Sequence, residues 1–123
     1  MKIEFDFLPP SVNTAFYTDF RTRTRHKTKP YREFIRNLEG YVPQCNPTLL
    51  DGELEVEINC YFPDKRKRDI ANYEKCLIDT IVHYGLITDD SQIQRLVLEK
   101  YYDKGKPFTI IEIKSKIDTV DSP

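Results

Sequence analysis

The chain has 123 residues, of which 39% are hydrophobic and 32% are charged, and these values predict one soluble globular domain. No apolar run approaches the ~20 residues that a membrane span needs, and the first six residues alternate apolar and charged types, unlike a signal peptide. The cysteines Cys45, Cys60 and Cys76 are odd in number and form no closely spaced pair. This argues against a disulfide framework or a cysteine zinc site and predicts free thiols in a reducing cytoplasm.

The net charge of -1 hides a strong segregation of charge along the chain. Residues 21–36 hold seven basic residues and one acidic residue, and residues 65–68 add four more basic residues. The rest of the chain therefore carries a net charge of -11. Segregated charge creates a local field that the average conceals, so the balance does not exclude a nucleic-acid partner.

The amino-terminal third contains one predicted strand and one predicted helix. Residues 2–8 alternate with period two, which predicts a strand that ends at a Pro-Pro-Ser sequence. Residues 11–29 show no helical period. A helix is predicted over residues 30–40, because Pro30 is a favourable first helical residue and Gly40 is a favourable stop.

The rest of the chain shows clearer patterns. Residues 54–62 alternate apolar and polar types without interruption, which predicts the best-defined strand. Residues 69–84 have a helical period and end at Gly85, a common residue after a helix. Two further strands are predicted over residues 92–102 and 107–114.

The predicted order of elements is β-α-β-α-β-β, which is typical of an α/β domain with helices packed on a mixed sheet. No internal repeat or linker divides the chain. We therefore expect one domain over residues 1–114, followed by a poorly ordered tail over residues 115–123 that has few core residues.

Candidate site residues cluster at the start of the second long helix and just after its end. These residues are Asp69, Asn72, Lys75 and Asp79 in the first group, and Asp89 and Asp90 in the second. Mg²⁺ takes oxygen ligands and is usually held by one or two carboxylates together with water and substrate phosphate. Two neighbouring carboxylate groups are therefore compatible with a magnesium site.

A purely structural interpretation of the same residues stays open at this point. Asp69 precedes a helical pattern, where aspartate commonly caps the helix. The Asp89-Asp90-Ser91 sequence is ordinary turn chemistry. Lys75 and Asp79 are also of types that are common on a solvated helix surface, so spacing alone does not show a metal site.

Basic residues form a second kind of candidate site. In residues 21–29 they alternate with small polar residues, which suits an extended segment or a hairpin that presents one charged row to phosphates. The alternative is a solvated loop. The predicted DNA-binding residues of the two basic segments are Arg21, Arg23, Arg25, Lys27, Lys29, Lys65, Arg66, Lys67 and Arg68. The second segment adjoins the acidic cluster, and this favours a nucleic-acid partner.

The stretch from Pro63 to Ile93 resembles the signature of the RusA family of Holliday junction resolvases. It contains a basic run, an Arg-Asp pair, an Asn three residues after that Asp, a Lys three residues later and an Asp four residues beyond. It continues through Gly85 to Asp89-Asp90-Ser91-Gln92-Ile93. The Leu-Pro-Pro-Ser-Val-Asn sequence at residues 8–13 also matches the family's opening, and the resemblance covers about residues 3–114.

The resemblance implies a homodimeric α/β endonuclease that binds four-way DNA junctions and cuts paired strands with Mg²⁺, or Mn²⁺ as a substitute. It implies a role in DNA recombination and repair, in the cytoplasm and at the nucleoid when bound to DNA. By position, Asp69 and Asp90 match metal-binding carboxylates, Asp89 matches an adjacent family acid, and Lys75 matches the family's essential lysine. Asn13, Asn72 and Asp79 are expected to support this site.

One position departs from the family pattern. Better-known members of the family have a second acidic residue where this chain has Ala71. Two alternatives follow: a junction-binding protein that has lost cleavage or cuts weakly, and a related nuclease that prefers flaps or forks. An acid at this position would reach the site only if Asp69 occupies the helix cap, where the backbone is not yet helical.

Overall fold

The computed structural model describes residues 1–42 and 50–116 of the chain. A four-stranded mixed sheet has the order β1-β6-β4-β5, and strands β2 and β3 form a separate hairpin. Strand β6 is antiparallel to both of its neighbours, β1 and β4, whereas β4 and β5 are parallel. The helices and strands are β1 (Lys2–Phe5), α1 (Val12–Ala15), β2 (Phe16–Asp19), β3 (Thr24–Lys27), α2 (Lys29–Glu39), β4 (Leu54–Phe62), α3 (Glu74–His83), β5 (Ile93–Tyr102) and β6 (Phe108–Ser115). Two short 3₁₀ helices cover Ile70–Tyr73 and Asp90–Gln92.

The core lies on one face of the four-stranded sheet. The alternating apolar residues of β4, from Leu54 to Phe62, are all buried, as the sequence pattern predicts. Phe5 of β1 contacts Phe34 of α2 with a ring-centre distance of 6.1 Å. Helix α3 contributes Leu77 and Ile81, which are fully buried. Each such side chain contributes about 1.5–3 kcal/mol of burial free energy, so this face holds the helices in place.

The predicted β-α-β-α-β-β order is wrong because it omits α1 and the β2–β3 hairpin. Helix α1 is a single turn, capped by the Ser11 side chain, which accepts a hydrogen bond from the Asn13 amide at 3.2 Å. The strands of the hairpin have four residues each, and most of their side chains are exposed. Strands without a buried face show no apolar alternation, so the pattern that predicts the other strands is missing here. The α/β class and the mixed sheet are confirmed.

The predicted helix over residues 69–84 consists of two parts. Asp69 begins a 3₁₀ helix that ends at Tyr73, and α3 starts only at Glu74. A 3₁₀ turn has three residues instead of 3.6, so it changes the face on which later residues lie. Within α3, Cys76 is fully buried, and its carbonyl accepts a hydrogen bond from the hydroxyl of the buried Tyr31 of α2.

Two of the predicted free cysteines lie in the described residues. Cys60 and Cys76 are both unpaired and buried, and burial raises the pKa of Cys60 to about 12 and that of Cys76 to about 11. Both thiols are therefore protonated at neutral pH. Cys45 lies outside the described residues.

The carboxyl-terminal strand extends slightly beyond the predicted end of the domain. Strand β6 ends at Ser115, and the amide of Lys116 donates to the Glu53 carbonyl at 2.9 Å. The rest of the predicted tail, residues 117–123, lies outside the described residues. None of the described helices has the length and apolar character needed to cross a membrane.

Candidate nuclease and DNA-binding site

Asp69 lies at the start of the first 3₁₀ helix and caps it. Its backbone is extended, with φ of -92° and ψ of 112°, and its carboxylate accepts a hydrogen bond from the Ala71 amide at 3.1 Å. Asp69 is exposed, and Asn72 is half-buried one turn later. The capping role is confirmed, and it leaves the second carboxylate oxygen able to accept another partner.

The first turns of α3 carry the central charges of the site. The Lys75 ammonium lies 3.0 Å from a carboxylate oxygen of Asp79, and this hydrogen bond raises the pKa of Lys75. The negative charges of Asp90 and Glu74 raise that pKa further. Lys75 therefore keeps its positive charge at neutral pH.

Glu74, in the first turn of α3, is a charged residue of the site that the predicted set does not include. Counting helical angles from Asp69 places Glu74 nearer the core, and in the structure Glu74 is the first residue of α3. The side chain is half-buried, and burial raises the pKa of Glu74, as do the charges of Asp79 and Asp90, whereas Lys75 lowers it. Its position next to Lys75 in the first turn of a helix is the sequence signal that could have identified it.

Asp89 and Asp90 form a closely coupled acidic pair at the second 3₁₀ helix. Asp89 accepts a hydrogen bond from the Ser91 hydroxyl at 2.9 Å, and this contact lowers the pKa of Asp89. The hydrogen bond between the two carboxyl groups raises the pKa of Asp90, to which the charge of Asp89 also contributes. Adjacent carboxylates that cannot easily both ionise favour a bound proton or a cation between them.

Gln92 fixes the position of this acidic pair. Its side-chain carbonyl accepts hydrogen bonds from the amides of Thr88 and Asp89 at 2.8 and 3.0 Å. Its side-chain amide donates to the carbonyls of Leu50 and Gly52 at 3.1 and 3.0 Å. The acidic pair is thereby tied to the chain that leads into β4.

The structure brings only some of the predicted site residues together. Lys75, Asp79 and Asp90 act on one another electrostatically, and Glu74 joins them. We name these four residues the acidic cluster. Across residues 1–42 and 50–116, no group of three or more His, Cys, Asp or Glu side chains is placed to hold a metal ion. The predicted ligand set of Asp69, Asp89 and Asp90 is therefore not assembled as such in one chain.

The hairpin places one of its bases, Lys27, at a cleft that Asp79 of the acidic cluster also lines. The Arg25 guanidinium lies 3.8 Å above the centre of the Phe16 ring, and the Lys27 ammonium lies 5.8 Å from the centre of the Tyr31 ring. A cleft of about 290 Å³ is lined by Lys27, Tyr31 and Asp79, among others. A basic residue of β3 and an acidic residue of α3 therefore border the same cleft.

The other bases of this segment do not continue the predicted row. Arg21 and Arg23 lie in the turn between β2 and β3, and Arg23 has a positive φ of 57°. Lys29 is the first residue of α2 and pairs loosely with Glu33 at 3.8 Å. The single charged row over residues 21–29 is thus limited to Arg25 and Lys27.

The exposed aromatic residues of the hairpin have different environments. Tyr17 stacks on His26 with a ring-centre distance of 5.3 Å, and Phe20 in the turn is 89% exposed. Both can therefore contact a ligand in solution. Tyr31, in contrast, is buried, and its hydroxyl donates to the Cys76 carbonyl at 3.5 Å, so it belongs to the core.

The second basic segment is partly engaged within the protein. Asp64 lies 2.8 Å from Arg68 and 3.3 Å from Arg66, and the hydrogen bond from Arg68 is the main cause of a lowered pKa of Asp64. Arg68 also packs over the Phe62 ring and is only 13% exposed, so most of its side chain is engaged within the protein. Lys65 lies 5.0 Å from the centre of the Tyr102 ring.

Two further predicted residues are exposed. Lys67 lies between Arg66 and Arg68 with an exposed side chain, and Asn13 is exposed in α1. Both side chains are accessible to a ligand, but Asn13 belongs to a different element from the acidic cluster.

Comparison with known proteins gives a consistent result. The family model described as "Endodeoxyribonuclease RusA" matches residues 6–114, which include the acidic cluster, Asp69 and both basic segments. The chain is similar to the crossover junction endodeoxyribonuclease RusA of Aquifex aeolicus (strain VF5), with 38% identity over 71 residues. That alignment covers 58% of this chain and 56% of the relative, so it spans little more than half of that protein.

Two more relatives align over a longer stretch. The crossover junction endodeoxyribonuclease RusA of Escherichia coli (strain K12) is 29% identical over 86 residues, covering 69% of this chain and 70% of the relative. The corresponding protein of Enterobacteria phage 82 is 30% identical over 88 residues, with the same two coverages.

Proposed function

The chain belongs to the RusA family of endodeoxyribonucleases, and from this premise we propose that it is an endonuclease that resolves four-way DNA junctions by paired strand cuts. The observation that carries the proposal is the cleft bordered by Lys27 of the hairpin and Asp79 of the acidic cluster. A nuclease has to hold phosphate and present carboxylates at the same place, and this cleft combines both chemistries.

DNA binding is assigned to the exposed bases. Lys27 lines the same cleft as Asp79, Arg25 lies over the Phe16 ring that also lines this cleft, and Lys65 and Lys67 precede Asp69. Each base that contacts a phosphate releases counterions from the DNA, which supplies affinity despite the net charge of -1. Branched DNA is therefore the proposed partner.

We propose Mg²⁺, with Mn²⁺ as a substitute, as the cofactor. Asp89 and Asp90 are the residues proposed to hold it, because their hard oxygen donors lie close together and their mutual repulsion favours a cation. Two carboxylates are a usual protein contribution to magnesium, with water and substrate phosphate as the other ligands. When bound beside DNA, such an ion lowers the pKa of a water molecule and polarises a phosphoryl oxygen.

Lys75 is the proposed catalytic cation. Because its pKa is raised, it remains protonated and acts as a fixed positive charge on the scissile phosphate, not as a base. Asp79 holds the ammonium in place as a positioning residue. Asp69, whose carboxylate already caps the 3₁₀ helix, is proposed to contribute its second oxygen to the metal or its water.

The proposed active unit is a homodimer. Resolution of a junction requires two coordinated cuts, and the described residues of each chain form one acidic cluster. A twofold dimer would match the twofold symmetry of an open four-way junction. The proposed biological role is in DNA recombination and repair.

A cleavage panel tests this function. Equal concentrations of a four-way junction, a flap, a fork and a linear duplex of the same sequence are incubated with the protein, with and without Mg²⁺. We expect symmetric cuts in the junction, dependent on the metal. Equal cleavage of all four substrates, or faster cleavage of flaps or forks, would contradict the junction assignment.

A further inference from the structure

A second cleft lies where the parallel strands β4 and β5 end, and we name it the β4–β5 cleft. It has a volume of about 310 Å³ and shares no lining residue with the cleft of Lys27 and Asp79. Phe62 and Tyr102 are the last residues of the two strands, pair with each other in register and both line it. The carboxyl ends of parallel strands are a common place for ligand sites in α/β proteins. Its volume lies at the lower end of the range for small-ligand sites, about 300–1,000 Å³, and suits a single nucleoside.

Aromatic rings form much of the lining of the β4–β5 cleft. Tyr101 and Tyr102 line it and are 40% and 46% exposed. Phe62 is buried, and the Arg68 guanidinium lies 4.6 Å from the centre of its ring. The Lys65 ammonium lies 5.0 Å from the centre of the Tyr102 ring. Exposed rings beside basic side chains are the surfaces on which proteins stack unpaired bases.

The charge of the β4–β5 cleft is strongly positive. Its lining includes four basic residues and one acidic residue, a net charge of +3, although the whole chain carries -1. The acid, Asp64, is already paired with Arg66 and Arg68. The Lys100 ammonium donates to the Arg68 carbonyl at 2.7 Å and has two further N–H groups to donate. The cleft therefore matches an anionic ligand with an aromatic ring, and a nucleotide has both features.

Hydrogen bonds fix the β4–β5 cleft next to the proposed active site. The Asp103 amide donates to the Phe62 carbonyl at 2.9 Å, which joins the end of β4 to the residue after β5. The bond from Lys100 to the Arg68 carbonyl fixes the residue that directly precedes Asp69. The cleft therefore adjoins the carboxylate that is proposed to contact the metal or its water. One DNA strand held at that carboxylate passes beside the cleft.

We propose that the β4–β5 cleft binds one unstacked base at the branch point of the DNA substrate, with the base stacked on Tyr102. Lys65, Arg66 and Lys100 hold the adjoining phosphates. A base in a continuous duplex has to be unstacked and unpaired before it enters such a cleft, and this costs least where pairing is already interrupted. The cleft therefore favours branched over linear DNA. The inference rests on the proposed function and names a base-binding subsite for its substrate.

Two substitutions of Tyr102 test the stacking. Binding to a four-way junction and to a linear duplex of the same sequence is titrated in EDTA, so that no strand is cut. Tyr102→Ala should bind the junction about 5- to 100-fold more weakly, the usual loss on removal of one stacked ring, and the duplex within about twofold of the parent. Tyr102→Phe keeps the ring and should bind both DNAs within about twofold of the parent.

Tyr17→Ala is the matched control, because Tyr17 is exposed to a similar extent, 52%, and lies outside the β4–β5 cleft. It should leave the ratio of junction to duplex affinity unchanged. Circular dichroism and thermal unfolding establish that each variant is folded. A folded Tyr102→Ala variant with parent affinity for the junction would overturn the proposal. An equal loss on junction and duplex, or an equal loss of junction affinity in Tyr17→Ala, would also overturn it.

Photocrosslinking of the unaltered chain covers the case in which Tyr102→Ala does not fold. 5-Iododeoxyuridine replaces one nucleotide at a time at each position next to the branch point, and ultraviolet light couples it to a ring on which it stacks. Mass spectrometry of the digested complex identifies the coupled residue. We expect coupling to Tyr102 in the junction complex and none in the duplex complex. Coupling only to residues outside the β4–β5 cleft, equal coupling in the duplex, or no coupling at any position would overturn the proposal.

The two proposals fail in distinguishable ways. A chain that cuts junctions, but whose junction affinity does not depend on the Tyr102 ring, would overturn the base-binding subsite alone. A chain that couples to the branch-point base through Tyr102, but cuts none of the branched DNAs, would overturn the proposed nuclease function and leave the subsite standing.

Discussion

The ammonium of Lys75 lies 3.0 Å from a carboxylate oxygen of Asp79, one turn later on the same helix. Lys75, the cation of the acidic cluster, is thus held by Asp79, which follows it by four residues and lies on the same face of α3. An exposed pair of this kind contributes little to stability. Its consequence is positional, because it restricts where the positive charge of Lys75 lies.

Lys75→Met should reduce cleavage by about 10²–10³-fold, the usual cost of removing one group that stabilises transition-state charge. Junction binding should change little, because most of the affinity comes from the other bases. Single-turnover cleavage and gel-shift titration on the same junction measure the two effects. Lys106→Met, an exposed lysine near the β5–β6 turn, is the control, and an equal loss of cleavage in both variants would contradict the role of Lys75.

Asp69→Asn and Asp90→Asn should each abolish cleavage while junction binding persists or becomes tighter. Each change removes a proposed ligand charge and also removes repulsion against DNA phosphate. Cleavage and affinity are measured on one junction at fixed salt. If either variant cuts at nearly the parent rate, that residue does not belong to the site. Asp103→Asn, in the β5–β6 turn, is the matched control.

Replacing Arg21, Arg23 and Arg25 together with Ala should weaken junction binding and reduce the salt dependence by up to about three phosphate contacts. In the structure, Arg25 lies in strand β3, whereas Arg21 and Arg23 lie in the turn before it. Arg25→Ala with Lys27→Ala should reduce the salt slope by about two contacts, and Arg21→Ala with Arg23→Ala should reduce it less, because these two lie in the turn. Binding is titrated between about 50 and 200 mM salt. An unchanged slope in all variants would mean that the hairpin faces away from DNA.

Ala71→Asp should raise cleavage at low metal concentration. The Ala71 amide donates to the Asp69 carboxylate at 3.1 Å, so an acid here would be added beside an existing acid. The parent should therefore need more Mg²⁺, or prefer Mn²⁺, and cut more weakly than the variant. Cleavage rate is measured against metal concentration for both proteins, with Ala71→Asn as an uncharged control. A variant with unchanged metal dependence would show that the site functions without this acid.

Asp64→Asn should destabilise the folded protein in a pH-dependent way. The Arg68 hydrogen bond holds the pKa of Asp64 well below its unfolded value of about 4. A lowered folded-state pKa stabilises the protein above the unfolded pKa, and this contribution is lost as pH falls towards the folded value. The stability difference between parent and variant should thus be present at pH 7 and shrink below about pH 4. Urea unfolding at several pH values measures it, and a difference independent of pH would exclude this cause.

The long elements were predictable from sequence because each has one buried face. Strand β4 has the predicted bounds, and α2, β5 and β6 differ from their predictions by one residue at either end. A strand with one buried face has an apolar residue at every second position, and such a helix has one at every third or fourth position, so the order of apolar residues predicts both. The hairpin and α1 were not predictable in this way, since they are short and bury little.

The site was only partly predictable for a different reason. Asp69, Lys75 and Asp90 were found from local spacing and family resemblance, but their mutual distances depend on how α3 packs against the sheet. The sequence pattern did not reveal that a 3₁₀ helix precedes α3, or that Glu74, at the start of α3, joins the acidic cluster. Which bases face that cluster depends on the hairpin, whose strands the sequence pattern did not reveal.

The order of the strands has a consequence for synthesis on the ribosome. Strand β6 is made after the other described strands, yet it lies between β1 and β4 and pairs with both. Until it emerges, β1 has no neighbour in this sheet and β4 lacks one side of its ladder. These pairings join residues far apart in the chain, which slows folding and prolongs the exposure of apolar strands. The nascent chain should therefore depend on chaperones until β6 is released, and stalled chains lacking β6 should be prone to aggregation.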